Sequence, residues 1–195
     1  MSEVTWTHRW LPDILRLIPV DVKSLIDVGC GRGIIGALVR IYRDPKRLVG
    51  IDIFKPYLDF CRKMNFYDEL YERNLMETPL PFDGKEFDVA TCIEVIEHIP
   101  KENGLRLLEE LERIAKIVIV SAPNIYFPQK AYDNNIFQRH VSEWCVKDFR
   151  KRGYNVLGVG DFVVFGRRIP YLSFLFSKFS YMMPNFSEVL LAYRQ

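Results

Sequence analysis

Short apolar runs alternate with amphipathic segments along the first part of the chain. Residues 23–29 (KSLIDVG) and 46–53 (KRLVGIDI) have the β-rich character of buried strands, and residues 34–42 (IIGALVRIY) between them have the pattern of a helix. A strand, a helix and a second strand in this order predict a βαβ unit, whose two strands run parallel.

The same alternation continues further along the chain. Residues 86–93 (EFDVATCI) and 115–123 (AKIVIVSAP) predict two more strands. The segment 102–114 between them places apolar side chains at helical spacing, namely Leu105, Leu108, Leu111 and Ile114. Because a helix again separates the strands, the pattern predicts an α/β fold built on a parallel sheet.

The two ends of the chain differ from this middle part. Residues 1–22 predict an N-terminal helix that caps the fold, and residues 142–152 predict a helix with Ser142 as its N-cap and Gly153 as its stop. Two strands follow, at 154–165 and 187–194. No linker or internal repeat interrupts the pattern, so we expect residues 1–195 to form a single domain.

Composition and charge argue against several classes of protein. With 49% apolar and 27% charged residues among 195, the chain has the composition of a folded globular domain. Its net charge of +2 makes a nucleic-acid partner an unlikely expectation. The cysteines are widely spaced, form no C-x-x-C pair and follow no secretory signal: Cys30, Cys61, Cys92 and Cys145. They predict reduced thiols in a cytoplasmic protein and argue against a zinc site.

Residues 27–36 (DVGCGRGIIG) form a glycine-rich turn directly after a predicted strand. The spacing fits both a dinucleotide turn and an S-adenosylmethionine turn, and Asp52 stands where either needs a carboxylate for ribose hydroxyls. Asp27 precedes Gly29 by two residues, where it is placed to meet an ammonium group, whereas a pyrophosphate needs no carboxylate there. The acidic run 93–98 (IEVIEH) would repel a phosphate, and the chain lacks room for a dehydrogenase substrate domain. These features favour S-adenosylmethionine.

With these motifs the sequence resembles the class I S-adenosylmethionine-dependent methyltransferases from about Lys23 to its C-terminus. The resemblance rests on LIDVGCGRG, VGIDI, NLMETPLPFDGKEFDVATCIEVIEHI and SEVLLAYR, taken together. It implies a doubly wound α/β fold with a seven-stranded, mostly parallel sheet and an antiparallel last strand. It also implies a cofactor pocket at the carboxyl ends of the strands, where the open-sheet rule places a ligand.

The resemblance further implies which residues bind the cofactor. Those at the methionine end of the site are Asp27, Gly29, Cys30, Gly31 and Gly33, with Cys92 and Ile93 after the fourth strand. Asp52 is expected to hold the ribose diol and Ile53 to lie against adenine. Asn74 and Leu75 fall where the family places a polar group near the adenine amino group, and Asn74 replaces the usual aspartate.

The run EVIEH supplies the candidate catalytic residues. In a helix, Glu94, Glu97 and His98 would lie at i, i+3 and i+4 on one face, and His140 offers a second imidazole. Such a set resembles the metal site of small-RNA 2′-O-methyltransferases, and ubiquinone-type O-methyltransferases have a related run. An orienting hydrogen bond and general-base catalysis by His98 are the alternatives. A divalent metal is therefore allowed but not favoured.

An apolar insertion is predicted at 166–186, between the last two strands. Its central part, 170–184, has 13 residues between two prolines and is too short to cross a bilayer. It predicts a core or homodimer contact, with a lid over an apolar substrate or peripheral lipid contact as alternatives.

Together these features predict a methyltransferase that uses S-adenosylmethionine and releases S-adenosylhomocysteine. The expected acceptor is a small, partly apolar molecule with an O, N or C nucleophile. A metal-dependent RNA 2′-O-methyltransferase is one alternative. A non-catalytic protein that binds S-adenosylmethionine and docks a partner is the other.

Overall fold

The computed structural model describes residues 11–124, 129–131, 134–164, 167–169, 179 and 181–195. Its centre is one sheet with the strand order β3-β2-β1-β4-β5-β8-β6-β7. The strands are β1 Ser24–Val28, β2 Arg47–Asp52, β3 Glu69–Glu72, β4 Phe87–Ile93, β5 Ala115–Pro123, β6 Asn155–Val164, β7 Arg167–Arg168 and β8 Ser187–Arg194. Strands β1 to β5 are parallel, and β8 runs antiparallel to both β5 and β6. The predicted seven-stranded sheet is confirmed, with β7 as a two-residue addition at the edge.

Helices cover both faces of the sheet. They are α1 Leu11–Leu17, α2 Ile34–Tyr42, α3 Lys55–Met64, α4 Lys101–Ile114 and α5 Val146–Arg150, with 3-10 helices at Ile96–His98, Ile136–Gln138 and Pro184–Phe186. On one face α1, α2 and α3 bury Ile14, Val39 and Leu58. On the other face α4 and α5 bury Leu107 and Phe149. This doubly wound arrangement is the one expected from the sequence.

The topology fixes where a ligand can bind. Strand β1 pairs with β2 on one side and with β4 on the other, so the strand order reverses at β1. In open α/β sheets the crevice at such a switch point, outside the carboxyl ends of the strands, is the usual ligand site. The glycine turn follows β1 at this point.

The helix predicted at 142–152 is shorter than expected. It spans Val146–Arg150, and its N-cap is Cys145, whose backbone amide donates to the Asp148 carboxylate at 2.8 Å. Ser142 is therefore not the N-cap. Its hydroxyl instead donates to the carbonyl of Ile96 at 3.1 Å, so the residue is bound to the 3-10 turn Ile96–His98.

The ends and the insertion are described in part. Helix α1 lies within the predicted N-terminal helix, and residues 1–10 lie outside the described residues. Most of the predicted 170–184 contact also lies outside them, although Phe179, Met182 and Met183 are described and exposed. Every helix in the described ranges is too short or too polar to span a bilayer.

Candidate active site

Three glycines of the turn after β1 adopt the left-handed backbone region. Gly29, Gly31 and Gly33 have φ values of +76°, +53° and +80°, which strain a residue with a side chain. At Gly29 the constraint is also steric, because a Cβ atom there would lie 2.3 Å from a methyl carbon of Val95. The turn therefore presents bare backbone to the crevice.

Asp52 connects the end of β2 to the glycine turn. One oxygen of its carboxylate accepts a hydrogen bond from the Gly31 amide at 2.8 Å, and the other accepts one from the Phe54 amide at 2.8 Å. Burial raises the pKa of Asp52, and these backbone donors oppose the rise. Each carboxylate oxygen has a further lone pair, so the side chain retains capacity for ribose hydroxyls.

The turn and Asp52 border a cavity of about 100 Å³ at the carboxyl ends of the strands. Six of the predicted cofactor-binding residues line it: Gly29, Gly31, Asp52, Ile53, Asn74 and Leu75. Five do not line it: Asp27, Cys30, Gly33, Cys92 and Ile93. The cavity is also lined by six residues that the sequence motifs do not identify, namely Met76, Val95, Ile99, Asn135, Phe137 and Gln138.

Asp27 is part of the core and not of the cavity wall. Its carboxylate accepts hydrogen bonds from the Tyr67 hydroxyl at 2.6 Å and from the Thr91 hydroxyl at 2.8 Å. Burial raises the pKa of Asp27 to about 6. Both carboxylate oxygens thus have partners inside the protein, and the contact of Asp27 with a ligand's ammonium group stays a prediction.

The run EVIEH is not the helix that its spacing predicts. Glu94 has a left-handed backbone with φ of +54°, and only Ile96–His98 form a single 3-10 turn. Ser121 on β5 holds Glu94 in place, since its hydroxyl donates to the Glu94 carboxylate at 2.6 Å and accepts from the Glu94 amide at 3.0 Å. Burial raises the pKa of Glu94 to about 7, and the Ser121 hydrogen bond opposes the rise. Glu94 lines the same cavity as Asp52.

Glu97 carries a buried carboxylate with an unused oxygen. The residue is 2% exposed, and its Oε2 accepts no hydrogen bond from any described residue. Burial, with a smaller contribution from the charge of Glu94, raises the pKa of Glu97 well above its ordinary value. A buried carboxylate oxygen without a hydrogen-bond donor destabilises the fold. Binding of a proton or a cation at this atom would remove that cost.

His98 is held in one tautomer beside Glu97. Its Nδ1 lies 3.1 Å from the carbonyl of Arg139, which only accepts, so Nδ1 carries the proton and donates. The lone pair is then on Nε2, which lies 3.8 Å from Oε1 of Glu97. Burial, with a smaller contribution from His140, lowers the pKa of His98 to about 4, so the ring is neutral at pH 7.

Residues 139–142 bring His140 to the same place. The amides of Val141 and Ser142 donate to the carbonyl of Glu97 at 2.8 and 3.1 Å, and the rings of His98 and His140 lie 4.8 Å apart between centroids. One ligand atom from each of Glu97, His98 and His140 falls within 4.8 Å of the others. We call these three residues the Glu-His-His cluster. The spacing of EVIEH groups Glu94 with them, but the structure places Glu94 at the cavity wall instead.

A groove of about 720 Å³ also borders the cluster. Glu97 and His140 line the groove, whereas His98 and Glu94 line the cavity. Residues of the cluster therefore line both the cavity and the groove.

Comparisons with known proteins find methyltransferases. A family model described as a methyltransferase domain matches residues 26–117. The small RNA 2′-O-methyltransferase of Arabidopsis thaliana is 29% identical over an alignment of 139 residues, and the match covers 63% of this chain and 14% of that protein. The ubiquinone biosynthesis O-methyltransferase of Hahella chejuensis is 33% identical over 97 residues, which are 48% of this chain and 39% of that protein. The chain thus spans well under half the length of these two relatives.

A solved structure gives the same picture of the fold. The S-adenosylmethionine-dependent methyltransferase from Mesorhizobium loti superposes with a TM-score of 0.63 at 14% identity. The match covers 95% of this chain and 96% of that one, so the likeness extends over the whole architecture.

Proposed function

Because the chain belongs to the class I S-adenosylmethionine-dependent methyltransferases, we propose that it methylates a hydroxyl oxygen of an acceptor held at the Glu-His-His cluster. The observation that carries the proposal is that residues of the cluster line both the cavity and the groove. The cofactor supplies a methyl group already activated by its sulfonium. The protein then has to align the two reactants and exclude water.

In this proposal the cavity binds the cofactor. Asp52 accepts hydrogen bonds from the ribose hydroxyls, and the bare backbone of Gly29 and Gly31 allows close approach to the ligand. Asn74 and Leu75 flank the adenine side. Glu94, whose pKa burial raises to about 7, is able to hold or take a proton near neutral pH at the cavity wall that it shares with His98.

The donor set of the cluster fits a divalent cation. Glu97 offers a carboxylate oxygen without a hydrogen bond, and His98 offers an Nε2 lone pair fixed by the Arg139 carbonyl. Neutral imidazoles and carboxylates are ordinary ligands of divalent metals, and a backbone carbonyl on the other ring nitrogen is the usual second partner of such a histidine. A bound cation would lower the pKa of an acceptor hydroxyl. The sequence did not favour a metal, and the convergence of these three side chains is the reason to propose one.

Both named relatives are O-methyltransferases, which agrees with a hydroxyl acceptor. They differ in the acceptor that their names imply, an RNA in one case and a ubiquinone precursor in the other. The RNA 2′-O-methyltransferase therefore stays a second candidate, favoured by the cluster itself.

Manganese binding followed by electron paramagnetic resonance tests the cation site directly. We expect the wild-type protein to bind Mn²⁺ and the Glu97→Gln and His140→Ala variants to bind it at least tenfold more weakly. Glu143→Gln is the matched control, because this carboxylate lines the groove outside the cluster. Equal Mn²⁺ affinity in all four proteins would contradict the cation site.

Turnover tests the activity. Production of S-adenosylhomocysteine from a hydroxyl acceptor should stop with a chelator and return with Mg²⁺ or Mn²⁺. Methyl transfer that persists in the chelator and in Glu97→Gln would contradict the cation. It would support the alternatives, in which an orienting hydrogen bond or general-base catalysis by His98 acts on the acceptor. Cofactor binding without any transfer would favour the non-catalytic alternative.

A further inference from the structure

The groove beside the Glu-His-His cluster has a lining that selects a class of acceptor. We infer that it takes an uncharged hydroxyl compound with an apolar body, and not a phosphodiester chain. This inference rests on the proposed function, because it assigns the acceptor for the same site. Three observations on the groove carry it.

The first observation is the charge of the groove outside the cluster. Among the described residues, the charged side chains that line it there are Lys101, Glu143 and Asp148, so carboxylates outnumber cations two to one. Arg139 and Lys130 precede the groove residue His140 in sequence, but neither lines the groove. Proteins that hold phosphates neutralise their charge mainly with lysine and arginine side chains. Outside the cluster, the described lining therefore adds no net positive charge for a phosphodiester.

The second observation is that the ammonium group of Lys101 is already engaged. It is the one lysine or arginine cation among the described residues of the groove. Nζ of Lys101 lies 2.7 Å from the Asp148 carboxylate and 2.6 Å from the Glu143 carbonyl. It also lies 3.7 Å from the centre of the Trp144 ring, which adds a cation–π contact. A phosphate would have to break these contacts to gain a cation, whereas an uncharged acceptor leaves them intact.

The third observation is the apolar surface that surrounds the cluster. Pro123, Val141 and Trp144 line the groove, and Val141 is 52% exposed. An apolar body could cover this surface while its hydroxyl reaches the unused oxygen of Glu97 through the cation.

Two probes with the same pair of adjacent hydroxyls separate the acceptor classes. One is a dihydroxybenzene that carries an alkyl chain, and the other is a short RNA oligonucleotide with a free 3′-terminal ribose. Binding of each to the protein with S-adenosylhomocysteine and Mn²⁺ is measured by calorimetry at two salt concentrations. We expect the alkyl dihydroxybenzene to bind at least tenfold more tightly, with an affinity that changes little with salt.

The Glu143→Lys variant tests the charge argument. It should improve RNA binding at least fivefold and change the affinity for the uncharged alkyl dihydroxybenzene by a smaller factor. The inference is overturned if the RNA binds more tightly to the wild-type protein, or if neither probe binds. Because the readout is binding, it stays separate from the proposed function, which would fail through absent methyl transfer or absent Mn²⁺ binding.

Discussion

Nδ1 of His98 donates a hydrogen bond to the carbonyl of Arg139 across 3.1 Å, and this contact decides what the imidazole can do. It places the proton on Nδ1 and the lone pair on Nε2, toward Glu97 and His140. Because Arg139 directly precedes His140, the bond that fixes the first ring also helps to position the second. One hydrogen bond therefore serves both imidazoles of the cluster.

The first prediction concerns the protonation of His98. Burial and the neighbouring His140 lower the pKa of His98 to about 4, so the ring should remain neutral, with its proton on Nδ1, at pH 6. Nitrogen-15 NMR of the metal-free protein reports both the tautomer and the titration midpoint. The His98→Gln variant assigns the signal. A midpoint near the ordinary value of 6.5, or a proton on Nε2, would contradict the described geometry.

The second prediction concerns Ser121 as the residue that positions Glu94. In Ser121→Ala the Glu94 carboxylate loses its 2.6 Å donor, and the Glu94 amide loses an acceptor. The pKa of Glu94 should then rise above about 7, because that hydrogen bond stabilises the charged carboxylate. Carbon-13 NMR of the Glu94 carboxyl measures the shift.

If Ser121 contributes only to packing, the titration midpoint of Glu94 should not change in Ser121→Ala. Loss of a buried hydrogen bond should lower the free energy of unfolding by about 1–2 kcal/mol in either case. An unchanged titration midpoint of Glu94 in a destabilised Ser121→Ala protein would show that Ser121 contributes to packing alone.

Much of the fold could be predicted because its inner strands are continuous apolar runs. The bounds of α2, β5 and β8 agree with the sequence pattern, since each is a long run with one dominant periodicity. Strand β3 was missed because it is an edge strand with the sequence ELYE and lacks an apolar run. Helix α3 was also missed, although its buried residues Tyr57, Leu58 and Cys61 have helical spacing that could have revealed it.

The part of the site that lies within one βαβ unit could be predicted from the sequence. Asp52 and the glycines of the turn belong to one βαβ unit, so their spacing carries the signal. The approach of His140 to His98 depends on hydrogen bonds between residues 139–142 and the 96–98 turn, which no spacing encodes. Glu94 was misplaced because the sequence does not reveal its left-handed backbone. The hydrogen bond that holds Asp27 in the core could not be predicted, because its partner Tyr67 is distant in sequence.

The third prediction concerns Asp52 as a principal contact of the cofactor. Asp52→Ala should weaken S-adenosylhomocysteine binding by about 1–3 kcal/mol, because the ribose hydroxyls lose their acceptor. Isothermal titration calorimetry measures the change. Asp59→Ala is the matched control, since this carboxylate is 52% exposed on α3 and pairs there with Lys55 and Arg62.

Folding must be separated from binding in this variant, because Asp52 also accepts from the amides of Gly31 and Phe54. Circular dichroism and the unfolding temperature of the free protein serve that purpose. A folded Asp52→Ala protein with wild-type affinity for S-adenosylhomocysteine would remove Asp52 from the cofactor site.

The last prediction concerns the pH dependence of stability that Asp27 introduces. Burial raises its pKa from 3.8 to about 6 in the folded protein, so the folded state binds more protons than the unfolded state between these values. Stability from this group is therefore greatest below pH 3.8 and falls as the pH rises towards about 6. A difference of about two pKa units between the unfolded and folded states corresponds to about 3 kcal/mol of stability.

Asp27→Asn should remove this dependence. An asparagine keeps the shape, and the Thr91 hydroxyl, which lies 3.4 Å from the Ile26 carbonyl, can donate there and accept from the new amide. Urea unfolding of both proteins from pH 4 to pH 7.5 measures the difference between their free energies of unfolding. The titration of all groups that the two proteins share cancels in this difference. The stability of wild type relative to Asp27→Asn should fall by up to about 3 kcal/mol as the pH rises. A constant difference across this range would mean that Asp27 is ionised in the folded core at all these pH values.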